Sequence, residues 1–282
     1  MPEVRSPTVR RRELGALLRS LRNEKGLTVE QVAERLLCSP SKVSRMETGH
    51  GIATPRDIRD LCELYEVTDE AERERMLRLA LEGKRQGWWK SYDLDFDTYV
   101  GLETEAAELR YYQSTIIPGL LQTADYARAM LDVTIPKLDS ERFDQLLEVK
   151  LTRQHILERE SPLRLWAVVD EAALHRMVGG REVMAAQLDR LADVTKNPNV
   201  AMQVIPYEAG AHPAMDSTFN ILDFAGSVPS VVYVEGLSGW NYLERPADII
   251  RYQAVFNELR RLSLSEDKSL ELIAKIGKSY KD

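Results

Sequence analysis

Only two cysteines and four histidines occur in 282 residues, and no apolar run approaches the roughly 20 residues that a membrane-spanning helix needs. Cys38 and Cys62 lack zinc-site spacing and make no disulfide framework. His50, His155, His175 and His212 are scattered with no His-Glu or Cys/His pattern that would build a metal site. A Gly-x-Ser-x-Gly nucleophile turn, a phosphate-binding P-loop and a dinucleotide fingerprint are all missing. The adjacent carboxylates Asp170 and Glu171 stand at a strand end, where catalytic acids occur, but a helix N-cap with an acidic first turn explains them more simply. The expectation is therefore a non-enzyme with no metal and no cofactor. The first residues lack the apolar core of a signal peptide, so the chain reads as cytoplasmic, with no membrane partner.

Charge is uneven along the chain. Overall there are 38 Lys and Arg against 45 Asp and Glu, a balance that by itself argues against nucleic acid. Residues 1–60, however, carry 12 basic and 8 acidic residues, leaving 26 basic and 37 acidic for the rest. A basic head on an acidic body suits a protein whose contact with phosphates is confined to one end. The length allows about two domains, with enough chain after the head for a second core.

The informative stretch is Leu27 to Gly49, LTVEQVAERLLCSPSKVSRMETG. Thr28 and Gln31 have the spacing of a capping box, and Val29, Val32, Ala33 and Leu36 then give a short helix one buried face. Ser39 is an N-cap with Pro40 at the first helical position, opening a second helix. Val43 and Met46 are its apolar residues, which turns Ser41, Lys42, Ser44 and Arg45 outward. Hydroxyls and long cations can donate to guanine acceptors and to phosphates, so this face suits the major groove of double-stranded DNA. Leu14, Leu17, Leu18 and Leu21 mark a preceding helix over about Val9 to Lys25. Ile58, Leu61, Cys62 and Tyr65 mark a fourth from Thr54-Pro55, and a fifth follows from Thr68.

Five short helices with such a pair second and third resemble the phage-repressor (Xre/Cro-like) DNA-binding domain, and SPSKVSRMETG is similar to the recognition helix of Xre-type regulators. The resemblance implies a five-helix, lambda-repressor-like domain over residues 1–82. It puts Ser39, Pro40, Ser41, Lys42, Ser44 and Arg45 against bases or phosphates, and Thr28 with Gln31 where the preceding helix meets the backbone. It also implies a structural ion pair between Arg22 and Glu47. One residue departs from the family: the turn that closes the first helix of the pair favours glycine, and here it is Leu37. Arg10, Arg11 and Arg12 read either as phosphate contacts or as a solvated terminus.

A linker is expected over residues 83–97, where Gly83 to Gly87 breaks the helical pattern. Trp88 and Trp89 within it either dock the linker onto a domain or a dimer mate, or belong to the second core. Residues 98–282 then read as a mixed α+β domain. Helices are expected at Thr98 to Gln113, Asp125 to Asp132, Ser140 to Glu160, Ala172 to Met177, Arg181 to Lys196, Pro246 to Leu262 and Glu266 to Ile276. Strands are expected at Leu163 to Asp170, Val200 to Ile205, Thr218 to Phe224, Ser230 to Glu235 and, more weakly, Trp240 to Leu243. The fold class is thus α+β overall, an all-α head followed by a mixed domain.

IIPGLLQTADYARAML, Arg153-Gln154, VVDEAALHRMVGG, VIPYEAGAHP and VVYVEG together resemble the C-terminal domain of actinobacterial Xre-type regulators, often described as antitoxin-like. That resemblance implies a transcriptional regulator whose C-terminal domain senses a ligand or a protein, possible partners including a small acidic protein encoded beside it. The alternative it leaves open is an antitoxin-like protein that sequesters such a partner and autoregulates its own operon. A single small recognition helix reads few base pairs, so a homodimer is expected. Pro118-Gly119 beside Gln122, Thr123 and Arg153 is the candidate effector turn, with packing as its other explanation.

Overall fold

Hydroxyl and carboxylate caps set where most of the early helices begin. The computed structural model describes residues 6–92, 94, 96–135, 139–226, 228–236 and 239–281, and these form twelve α-helices and six strands. Two compact units result: Met1–Glu105 with Phe224–Pro229, and Ala106–Asp223 with Ser230–Asp282. No described helix is long and apolar enough to cross a membrane.

Up to Glu105 the described residues of the first unit form helices and turns. Helices α1 (Pro7–Glu24), α2 (Val29–Arg35), α3 (Pro40–Glu47), α4 (Pro55–Leu64) and α5 (Glu70–Gly83) enclose one core. Leu14, Leu18, Val32, Val43, Met46, Ile58, Leu61 and Met76 are all buried in it. Each such side chain contributes roughly 1.5–3 kcal/mol on leaving water. Gly15 lets α1 approach the end of α3 closely: a Cβ there would lie 2.6 Å from the carbonyl oxygens of both Met46 and Glu47.

This unit does not stop at residue 82. The expected linker carries a 3-10 turn (Trp88–Tyr92), and α6 (Asp97–Glu105) after it packs with the first unit, which by its contacts runs on to Glu105. Asp93 and Asp95 of that stretch lie outside the described residues. The cause is tryptophan. Trp89 is 1% exposed, and its ring and Thr8 Oγ1 would stand 2.8 and 2.5 Å from a Cβ at Gly101, which places α6 against α1. Trp88 is half-buried and packs edge-on to Trp89 and Tyr92. Glu105 accepts the Ser6 N–H at 2.5 Å and pairs with Arg10, capping α1 from α6.

Arg10 to Arg12 are consequently neither a solvated terminus nor a free phosphate clamp. Arg10 meets Glu13 at 2.5 Å and Glu82 at 3.5 Å as well as Glu105. Arg11 donates to the Gly83 carbonyl at 3.3 Å, and burial lowers its pKa from the ordinary arginine value. Arg12 is buried.

The second unit is built on a six-stranded sheet of order β3-β2-β1-β4-β5-β6. Its strands are β1 (Glu108–Gln113), β2 (Arg164–Asp170), β3 (Val200–Ile205), β4 (Phe219–Asp223), β5 (Val231–Gly236) and β6 (Gly239–Leu243). β1, β2 and β3 run parallel, with Leu109 opposite Leu165 and Leu165 opposite Val200; β4 to β6 are antiparallel, Tyr112 facing Phe219. Parallel neighbours need long crossovers. These are supplied by α7 (Ala124–Thr134) with α8 (Ser140–Gln154), and by α9 (Glu171–His175) with α10 (Arg181–Val194). One sheet face, with Tyr112, Val168, Phe219, Ile221 and Val232, packs on Phe256 and Leu259 of α11 (Pro246–Leu262). α12 (Glu266–Lys281) lies along α10 and β3.

Two expectations fail here. Thr98 to Gln113 is not one helix: its first part is α6, its second part β1, a strand paired on both sides. The Ala and Glu of Glu103 to Glu108 favour helix, but Leu109, Tyr111 and Tyr112 bury in the sheet while Arg110 pairs with Asp223 of β4. The helix from Ser140 ends at Gln154 and gives way to a 3-10 turn at His155–Leu157.

Candidate nucleic-acid interface

Side-chain caps hold both helices of the pair. Thr28 Oγ1 accepts the Gln31 N–H at 3.2 Å, and Gln31 Oε1 accepts the Thr28 N–H at 2.8 Å. This uses the Gln31 amide oxygen and leaves its NH2 able to donate to a phosphate. Ser39 Oγ accepts the Lys42 N–H at 3.2 Å, with Pro40 in the first turn of α3. Val43 and Met46 are buried, whereas Ser39, Pro40, Ser41, Lys42, Ser44 and Arg45 are exposed together on the outer face.

An ion pair between the half-buried Arg22 and the buried Glu47 fixes the opposite side of α3. Arg22 Nε and Nη2 reach Glu47 Oε1 and Oε2 at 2.6 and 3.0 Å, and Arg22 Nη1 donates to the Leu27 carbonyl at 2.8 Å. The bond to Glu47 holds the Arg22 guanidinium above its ordinary value. A fork-to-fork contact of this kind fixes orientation as well as distance, so α1 sets the roll of α3.

The two outward cations differ. Lys42 Nζ lies 2.6 Å from Asp57 Oδ1, while Asp57 Oδ2 accepts the Thr54 N–H at 2.9 Å and hydroxyl at 2.8 Å. Burial would raise the Asp57 carboxyl, but the ammonium and the Thr54 donors outweigh it and hold it below the usual carboxylate range. Arg45 has no side-chain hydrogen bond or ion pair among the described residues. Its backbone carbonyl accepts the Gly51 N–H at 2.7 Å, which folds the following loop back onto α3. An open cleft results, lined by Ser39, Ser41, Lys42, Arg45 and Met46 of α3 and its cap together with Gly51 and Ile52 of the loop.

Leu37 adopts φ +51° and is 94% exposed. The turn therefore takes the left-handed form that glycine would give it, and Leu37 bears the strain. Cys38 beside it is half-exposed, its Sγ 3.7 Å from the Ser39 carbonyl. Cys62 is buried, and burial pushes its thiol up.

Asp57 and Ile52 escaped the sequence reading. Thr54-x-x-Asp57 is itself a visible capping pattern, but nothing in the spacing ties Asp57 to a lysine 15 residues earlier. Residues 13–76 match the family described as a helix-turn-helix domain, and residues 96–275 match the one described as Domain of unknown function (DUF5753).

The chain belongs to the DUF5753 family.

No curated protein and no solved structure matches it. The DUF5753 match begins at residue 96, ahead of the second unit at Ala106, and so includes α6. Within it, the Pro118-Gly119 turn is pinned by glutamines. Gln122 Nε2 donates to the Ile117 carbonyl at 2.8 Å, and Gln154 Nε2 to the Gly119 and Gln122 carbonyls at 3.2 and 2.8 Å. The buried Gln187 accepts the Thr123 N–H at 2.7 Å and donates to the Leu121 carbonyl at 2.8 Å. Arg153 stands beside Gly119, its Nη2 3.9 Å from a Cβ built there. These contacts hold the turn in place and leave the buried Gln122 Oε1 without a hydrogen-bond partner among the described residues. Asp170 likewise caps α9 through the Ala172 N–H at 2.8 Å, and Glu171 Oε2 accepts the Tyr207 N–H at 2.8 Å.

Proposed function

We propose that this protein is a sequence-specific, duplex-DNA-binding transcriptional regulator of the Xre type. The observation that carries the reading is Arg45, an exposed guanidinium without a partner among the described residues, projecting from a helix whose start is capped and whose roll is fixed by Arg22 and Glu47. Such a group grips guanine O6 and N7 in the major groove. Ser41 and Ser44 donate to base edges or phosphates beside it, and Thr28 and Gln31 meet the backbone from the start of α2. The chain acts as a homodimer, because one short helix reads too few base pairs, and its DUF5753 unit takes the effector or protein that changes DNA occupancy.

Enrichment of duplexes from a random-sequence pool by the full chain tests this. A single enriched motif, repeated at a spacing of about one helical turn, is expected. Equal retention of all duplexes, or of none at low salt, overturns it.

A further inference from the structure

We infer that Ile52, in the loop after α3, is a specificity-determining residue that packs on the C5-methyl group of a thymine beside the base gripped by Arg45. The inference rests on the reading of α3 as the recognition helix. Ile52 is 50% exposed in a loop of otherwise polar and small residues, so part of its apolar surface is open to a partner. The Gly51 N–H bond to the Arg45 carbonyl at 2.7 Å ties this loop to the turn of α3 that carries Arg45. Ile52 thereby lines the same cleft as Ser41, Lys42 and Arg45. The cleft thus brings hydrogen-bond donors and the apolar side chain of Ile52 to one place.

In the major groove a guanine offers two acceptors and an adjacent thymine offers a methyl group, which hydrogen-bonding side chains cannot read. An apolar surface held next to the donors can. Because the loop is tied to α3 through the Gly51 N–H, next to Ile52, shortening the Ile52 side chain leaves that tie in place.

The test uses the full chain and duplexes it enriches from a random pool, with each thymine replaced singly by deoxyuridine, which removes the methyl and keeps every hydrogen-bonding atom. One replacement is expected to weaken wild-type binding about fourfold, the worth of one buried methyl group. Ile52→Ala should bind the parent duplex about fourfold more weakly and show no further loss at that position, while Ile52→Val keeps part of the sensitivity. If every deoxyuridine duplex binds the wild type as tightly as its parent, or if Ile52→Ala retains the full sensitivity, the inference is wrong although Arg45-dependent enrichment stands. If no duplex is enriched at all, the recognition-helix reading fails and takes this one with it.

Discussion

The Lys42 ammonium sits 2.6 Å from Asp57 Oδ1, on the same carboxylate that caps α4 through the Thr54 N–H. A lysine on the outer face of α3 is thus neutralised before any duplex arrives. Freeing it in Asp57→Asn should steepen the dependence of log K on log salt by about 0.9, one extra phosphate contact. Lys42→Ala in the wild-type background should leave that slope unchanged, and in the Asp57→Asn background should restore it. A shallower slope for Lys42→Ala alone, with Asp57→Asn silent, would mean that the ammonium leaves Asp57 for phosphate.

Asp57 also gives stability a pH dependence of known sign. Its folded carboxyl titrates below its unfolded value of about 3.9, so its contribution is complete above about pH 4 and disappears as acid takes the pH through the lower folded value. Asp57→Asn is therefore expected to be less stable than the wild type at pH 7, with the gap closing towards pH 3. Urea melts at the two pH values measure it. A gap that stays constant assigns the loss to packing.

Glu47→Ala should destabilise the first unit by about 3 kcal/mol, because it leaves the Arg22 guanidinium largely buried without its carboxylate. The double change Arg22→Met with Glu47→Leu should recover most of the loss. Denaturant midpoints of the two variants decide: a single-variant loss below about 1 kcal/mol rules out the pair as the brace of α3.

Leu37→Gly is expected to stabilise. A left-handed leucine costs about 1–2 kcal/mol, and glycine returns roughly 0.5–1 of that as chain entropy, leaving a net gain of about 0.5–1 kcal/mol. At 94% exposure there is no burial to lose. Sequence preference on DNA should not change. An unchanged or lower melting temperature would show that the turn has another source of support.

The N-terminal fold was legible because its punctuation is chemical. Thr28, Ser39 and Thr54 each cap a helix at the position their spacing dictates, and leucines at helical period mark the buried faces. Of the second unit, β2 and β3 announced themselves as apolar runs, since both sheet faces are covered. β1 did not. Its Glu108 and Arg110 look solvated in one dimension and become tolerable only through Arg164 and Asp223, which the fold brings from far along the chain. The end of the first unit at Glu105 was hidden for the same reason: Trp89 advertised burial without naming Thr8 and Gly101 as its cover. At the interface, the outward face of α3 was readable from Val43 and Met46. The division of labour between a tethered Lys42 and an untethered Arg45 was not, because it depends on α4.

The most direct measurement is the affinity of Arg45→Ala for an enriched duplex and for an unrelated one at the same salt. Loss of about 1–3 kcal/mol on the enriched duplex, with little change on the other, is the predicted result. Equal loss on both would reduce Arg45 to a phosphate contact and contradict base reading by α3.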